Sequence, residues 1–237
     1  MAVRFSAETQ AYSTLLSVPA GAYTVTWWAK LYVGKGYATM WEPGSTSDTT
    51  VYTQVGMDAD TTYGIHTAGG GTLNGVYPMV ASTVDNSSNW HCFAVTQTAA
   101  GGTLRAGYGA TPGSMTWANI TAPSAAPTTL RLGRSVWSGE WFNGALGPWK
   151  QWGAVLTDAE CVTELGVYAP QRAANFVRSF DFKTLQTTPS AGSGDLTAGS
   201  ASPTVVTGPN IPDSLAAFSS RPPHLARQRR IRPLFVR

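Results

Sequence analysis

The 237 residues include 25 Gly, 15 Pro and 11% aromatic side chains but only 12% charged ones, a balance that points to a turn-rich all-β domain far more than to a helical one. The formal charge of +3 is unevenly placed: residues 221–237 hold six Arg and no acid, whereas residues 1–220 hold ten Lys+Arg against thirteen Asp+Glu. No run of about 18 apolar residues is present to cross a membrane, MAVRFSAETQ lacks the apolar centre of a signal peptide, and two cysteines are too few for a disulfide framework, so the expectation is one domain with a basic tail, made in a cytoplasm.

In chain order, residues 3–5 and 11–16 fit opening strands. Residues 23–31 (YTVTWWAKL) alternate Tyr23, Val25, Trp27, Ala29 and Leu31 against Thr24, Thr26, Trp28 and Lys30, which predicts a strand with one core face and one polar face carrying Trp28. Residues 41–89 are rich in Gly, Thr and Asp. Gly69-Gly70-Gly71 and Asn74-Gly75 read as turns between short strands near 51–55 and 64–66, and these polar loops are where a ligand site is expected. Residues 89–96 (NWHCFAVT) predict a strand, followed by a turn at Gly101-Gly102 and a partner strand over 104–108. Residues 110–129, with Pro112, Pro123 and Pro127, predict an irregular crossing.

The stretch LRLGRSVWSGEWFNGALGPWKQWGAVLTDAECVTEL, residues 130–165, joins a strand, a Gly-bounded hairpin, a second strand and a capped helix. Thr157 followed three residues later by Glu160 is a capping box, with Leu156 and Cys161 in the positions of a hydrophobic staple. A helix is therefore predicted from Asp158 to Leu165, with Gly166 as a left-handed C-terminal residue. Cys92 and Cys161 read as core thiols. Residues 176–182 predict a final strand, and residues 187–212 a strand-poor stretch.

Leu130-x-Leu132-Gly133, Phe142-x-Gly144-x-Leu146, Trp152 and the 156–160 helix start, together with YTVTWWAKL and NWHCFAVT in the same order, resemble the laminin-G-like, concanavalin A-like lectin-glucanase family. The resemblance covers roughly residues 3–210. It implies an all-β, two-sheet antiparallel jelly-roll sandwich with one short helix near 158–165. In that family the final strand returns near the first, and the stretch after it wraps back along the sandwich. The domain is expected to span 1–212, with an extended Arg-rich arm over 213–237.

Catalysis finds little support in the residues. The sandwich glucanases of this architecture carry E-x-D-x-x-E on one strand, the paired carboxylates that glycoside hydrolysis needs, and no such strand occurs here. Asp158 and Glu160 fall in the first turn of a helix, where the helix dipole explains them. His66, His91 and His224 lack ligand spacing. Calcium is a weaker expectation: Asp58, Asp60 and Asp85 could supply loop oxygens to Ca²⁺, and laminin-G-like domains often hold a calcium at a sandwich rim. Of the nine tryptophans, Trp28, Trp41, Trp117 and Trp137 are candidates for exposed sugar-stacking platforms.

Arg221, Arg227, Arg229, Arg230, Arg232 and Arg237 form an arm suited to an acidic partner, because guanidinium groups pair bidentately with carboxylates or phosphates. Nucleic acid is disfavoured, since the arm lacks aromatic stacking platforms and the body is acidic. The overall organisation resembles virion-associated lectin-like proteins. That resemblance implies a non-enzymatic virion structural protein, a bacteriophage capsid decoration or tail accessory protein held to other virion proteins through its arm, with homo-oligomers allowed. The alternative is a carbohydrate-binding adhesion module recognising host-surface or other cell-surface glycans.

Overall fold

The computed structural model describes residues 1–15, 22–32, 38–44, 52–58, 62–69, 72–80, 90–98, 100–108, 115–120, 129–135, 139–183, 191–192, 196–201, 203–211 and 213, and of 8, 13–15, 31, 38, 43–44, 52–58, 62–69, 72–80, 101, 104–108, 115–120, 191–192 and 198 the backbone. The described strands are β1 (Ala2–Phe5), β2 (Tyr12–Leu15), β3 (Tyr23–Leu31), β4 (Ala38–Gly44), β5 (Tyr52–Asp58), β6 (Thr62–Gly69), β7 (Thr72–Val80), β8 (His91–Thr98), β9 (Gly101–Tyr108), β10 (Met115–Ile120), β11 (Thr129–Leu132), β12 (Gly144–Trp152), β13 (Phe176–Phe180), β14 (Ala191–Gly192), β15 (Thr197–Ala198) and β16 (Thr204–Val206). A helix, α1 (Asp158–Leu165), lies between β12 and β13, and a 3-10 turn spans Glu8–Gln10.

Every described pairing is antiparallel. One sheet runs β10-β9-β8-β3-β12-β1-β16, with β13 and β14 joined through β12, and the other runs β15-β2-β11-β4-β5-β6-β7. β1 and β13 share one edge of β12 end to end. Val3 and Phe5 face Leu146 and Gly144, while Phe180 and Phe176 face Trp149 and Trp152. The returning strand thus lies beside the opening one, as the family resemblance implies. The stretch after it wraps back from β14 in the first sheet to β15 in the second and β16 in the first.

The core follows from strand alternation. Val25, Trp27 and Ala29 of β3, Phe93 and Val95 of β8, and Leu146 and Trp149 of β12 meet Tyr12, Trp41, Leu130 and Leu132 of the other sheet. Apolar faces of two sheets bury one another because neither face is stable in water. Trp27 stands edge-on to Trp41 at 5.3 Å and stacks on Phe93 at 5.1 Å, and Trp41 in turn stands edge-on to Trp149 at 6.3 Å.

The opposite face of β3 departs from expectation. Thr24, Thr26 and Trp28 point away from the core as the alternation predicts, yet all are buried, because α1 and its flanks cover that face. Trp28 packs with Cys92, Ala94, Trp152, Leu156, Cys161 and Leu165 in a second apolar cluster. The helix itself is as expected. Thr157 Oγ1 accepts from Glu160 N, and Glu160 reaches back to Thr157 N at 2.8 Å. The bonds that Thr157 N and Thr157 Oγ1 donate to the Glu160 carboxylate hold it below its ordinary range, with Arg172 contributing. Leu156 and Cys161 are buried together, and both cysteines are free thiols. Gly166, expected to be left-handed, has φ −73° and instead prolongs the last turn by donating to Val162 O and Thr163 O.

Beneath the helix, Lys150 on the outer face of β12 is 1% exposed. Its ammonium donates to Glu164 O, Glu164 Oε2 and Val167 O at 2.5, 3.1 and 2.7 Å. Glu164 also accepts from the backbone of Gln171 and Arg172. Burial pushes the Lys150 ammonium down to about 8, against the opposing pull of Glu164.

Three turn expectations are also corrected. Asn74 and Gly75 lie inside β7, paired with Thr67 and His66. Gly101 and Gly102 lie inside β9, where Thr98 pairs with Gly101, so the chain reverses before them. Residues 110–129 are not wholly irregular, since β10 within them pairs with β9. In each case ladder hydrogen bonds override local turn preference. Gly69 ends β6 opposite Thr72, which begins β7, and Gly70 and Gly71 lie outside the described residues.

Candidate functional site

One cleft among the described residues is walled by Arg131 and Arg134 of the Leu130-Arg131-Leu132-Gly133-Arg134 run. Leu130 and Leu132 point into the core, so alternation sends Arg131 outward. Continued alternation would send Arg134 inward. Gly133 breaks the phase: its φ is +85°, a backbone state open to glycine and strained for other residues. A Cβ there would also stand 2.7 Å from the Phe5 ring. Beyond it the chain enters a hairpin in which Arg134 bridges Trp141 and Phe142 N donates to Gly133 O at 2.9 Å. Arg131 and Arg134 thereby line one cleft.

Arg131 is held from behind. Its register partner on β4 is Glu42, which is fully buried and accepts from Arg131 Nη1 at 3.0 Å and from Ser135 Oγ at 2.7 Å. A carboxylate taken out of water requires such partners. The Arg131 side chain, 15% exposed, is therefore set in one orientation at the cleft wall. Arg134 Nε donates to Ser135 O at 3.1 Å.

The opposite wall comes from the two chain segments beside β2. Thr9, Ala11 and Tyr12 line the cleft together with Gly199 and Ser200. Gly199 N donates to Ala11 O at 2.7 Å, and Ala201 N donates to Thr9 O at 3.0 Å. A Cβ at position 199 would lie 2.2 Å from Thr9 O, so only glycine lets these segments come together. The cleft holds about 240 Å³, somewhat under the roughly 300–1,000 Å³ of sites for drug-sized ligands. That size suits a single sugar residue or a terminal group.

A broader depression of about 880 Å³ lies at the other sheet's edge, lined by Tyr168, Lys183, Val205, Pro209 and Asp213 among others. Three of its polar side chains are paired. Lys183 pairs with Asp213 at 2.5 Å, and the Tyr168 hydroxyl, pushed up to about 12 chiefly by burial, is bonded to Met1 and Pro209. We place the candidate site at the smaller cleft, which two arginine residues line.

Of the residues singled out from sequence, those whose side chains are described lie elsewhere. Trp28 and Trp41, expected to be exposed, are each 1% exposed and present no ring to a ligand. Helix α1 covers the first, and the second points between the sheets. Trp117 falls in β10 and Asp58 ends β5, but their side chains, together with Trp137, Asp60, Asp85 and the arm residues Arg221, Arg227, Arg229, Arg230, Arg232 and Arg237, lie outside the described residues. Among the described residues no three His, Cys, Asp or Glu side chains gather as a metal site. His91 is buried within β8. Arg131 and Arg134 were missed, although outward parity of Arg131 and the glycine after Leu132 were both legible.

No family model matches the chain, and no curated protein matches it. Solved structures do. A Bacteroides ovatus protein named for carbohydrate binding superposes with a TM-score of 0.56 at 12% identity, over 87% of this chain and 61% of that one. A heptameric SAP-like pentraxin of Limulus polyphemus gives 0.50 at 14% identity, over 84% and 94%. The enzymatically active domain of bacteriophage CBA120 tailspike protein 2 gives 0.52 at 12% identity, over 74% and 31%. The chain thus spans under two thirds of the first and about a third of the last. These likenesses establish the concanavalin A-like jelly-roll fold; at such identities they speak to fold alone.

Proposed function

We propose that this domain is a non-enzymatic attachment module that binds carbohydrate in the cleft where β2 begins and β11 and β15 end. The observation that carries the reading is Arg131, held at the cleft wall by buried Glu42. A side chain fixed before binding loses little entropy when it hydrogen-bonds a ligand, and guanidinium N–H groups match the oxygen-rich surface of a sugar. The carbohydrate-binding name of the Bacteroides ovatus neighbour supports the same reading. Turnover is disfavoured by the role of Glu42. Glycoside hydrolysis needs two carboxylates reaching the bond to be cleaved, whereas this one is buried and bonded to Arg131 and Ser135. The test is binding of the purified protein to a glycan array, with product release assayed on a polysaccharide panel. Retention on some glycans without reducing-end or unsaturated product is expected. Turnover lost on mutating a cleft residue would overturn the non-enzymatic part.

A second reading places the domain on a bacteriophage particle as a capsid or tail accessory protein, held to other virion proteins by residues 221–237. The neighbouring tailspike domain and the concentration of six Arg in that segment favour it. At an interface such Arg contacts are often among the dominant ones. Deleting residues 221–237 should leave the thermal midpoint nearly unchanged and abolish incorporation into the particle. Normal incorporation of the truncated protein would remove this reading.

A further inference from the structure

We infer that a small oxyanion, a phosphate or the carboxylate of an organic acid, is bound between the two sheets against Arg178, beside the β13–β14 edge. Register places Arg178 on the inner face of its sheet. It stands opposite Gln151 of β12, which stands opposite Val25 of β3, and Val25 and the next inward residue of β13, Phe180, both belong to the core. The Arg178 side chain follows them inward: the residue is only 4% exposed, and its Nε and Nη1 are buried without a hydrogen-bond partner. Burial pushes the guanidinium down from its ordinary range, with no charged neighbour acting on it.

Arginine does not shed its proton in a protein, so Arg178 keeps its charge, and a charge taken out of water without a partner is strongly destabilising. Gln151 Oε1 is also buried and unbonded. Rotation of that amide lets it accept one of the free N–H groups, but an amide carries no charge and leaves the guanidinium unneutralised. An oxyanion meets both needs, because two of its oxygens accept side by side from the planar fork of Nε and Nη1. Room for it lies toward β14. The residue opposite Arg178 there is Gly192, which has no side chain, and β14 is two residues long and pairs only with β13 among the described strands. The site therefore takes one phosphate or carboxylate group, reached from the sheet edge.

The test is thermal unfolding of the full chain at fixed ionic strength in chloride, with inorganic phosphate or lactate added at millimolar concentration, beside the same titrations of Arg178→Met. A ligand bound by the folded state alone raises the midpoint, by about 5 °C or more at roughly a hundredfold excess over Kd. That rise is expected in the wild type and absent in Arg178→Met, whose own midpoint in chloride should not fall because the unpaired charge is gone. A rise with phosphate alone assigns the site to phosphate or a phosphate ester, and a rise with lactate assigns it to organic acids. Arg178→Lys keeps the charge but loses the planar fork, and its response should be weaker than that of the wild type. Equal rises in wild type and Arg178→Met, or none in the wild type, overturn the inference. A wild type that responds only once Asp195→Asn is introduced overturns it as well, since the chain then supplies its own counter-ion.

Discussion

The indole N–H of Trp28 donates to the carbonyl oxygen of Leu165 at 2.9 Å, tying the middle of β3 to the last residue of α1. The final carbonyls of a helix have no partner within it, and here one is satisfied by a side chain of the sheet on which the helix rests. The same ring fills the centre of the cluster formed by Cys92, Trp152, Leu156, Cys161 and Leu165.

Trp28→Ala is therefore expected to destabilise the domain by about 3–5 kcal/mol, the usual cost of emptying a buried Trp site. Urea denaturation would measure it. A loss below about 1.5 kcal/mol would show that the ring does not seat the helix, because surface positions seldom exceed that range.

Thr157→Ala removes the acceptor for Glu160 N while leaving the apolar face of α1 intact. The expected loss is about 1 kcal/mol, with Thr157→Ser close to wild type. Equal midpoints for Ala and Ser would mean that the capping bonds contribute nothing.

Lys150 gives a pH dependence of definite sign. Its ammonium titrates at about 8 in the folded protein against an ordinary 10.5. Between those values the unfolded chain binds the extra proton, so stability contributed by this group rises with pH across that window. Burial of Tyr168 works in the opposite sense above pH 10, so the measurement is the difference between wild type and Lys150→Met. The stability advantage of wild type over the variant should grow from pH 8 to 10.5. A flat difference would place Lys150 in a wetter setting than the one seen.

Gly133→Ala meets two obstacles, a positive φ and the Phe5 ring. A cost of about 1–3 kcal/mol is expected. Because the same backbone state brings Arg134 to the side of Arg131, the variant should also lose affinity for any ligand of the cleft. Retained affinity in a destabilised but folded variant would separate the strain from the positioning of Arg134.

Much of the fold was legible from local pattern. The alternation in YTVTWWAKL marks β3 at its observed ends, and Thr157 with Glu160 and the Leu156–Cys161 pair marks the helix start. Such signals need only a residue and its near neighbours in sequence. Turn signals fared worse at Asn74-Gly75 and Gly101-Gly102, because glycine tolerates an extended strand once ladder partners are supplied.

Trp28 shows where local pattern stops and packing takes over. Period-two alternation correctly turns it away from the core of the sandwich, since that depends only on the strand to which it belongs. Whether the face it joins meets water or a helix depends on a segment about 130 residues further on, packed across the sheet. The cleft has the same origin: Arg131 points outward by local parity, but its fixed orientation comes from Glu42 on another strand and its opposite wall from Thr9 and Ser200. Local propensity thus determines the elements and the direction of each side chain. Contacts between elements far apart in sequence decide which faces are buried and which charges come together, because burial and charge pairing are properties of the assembled surfaces.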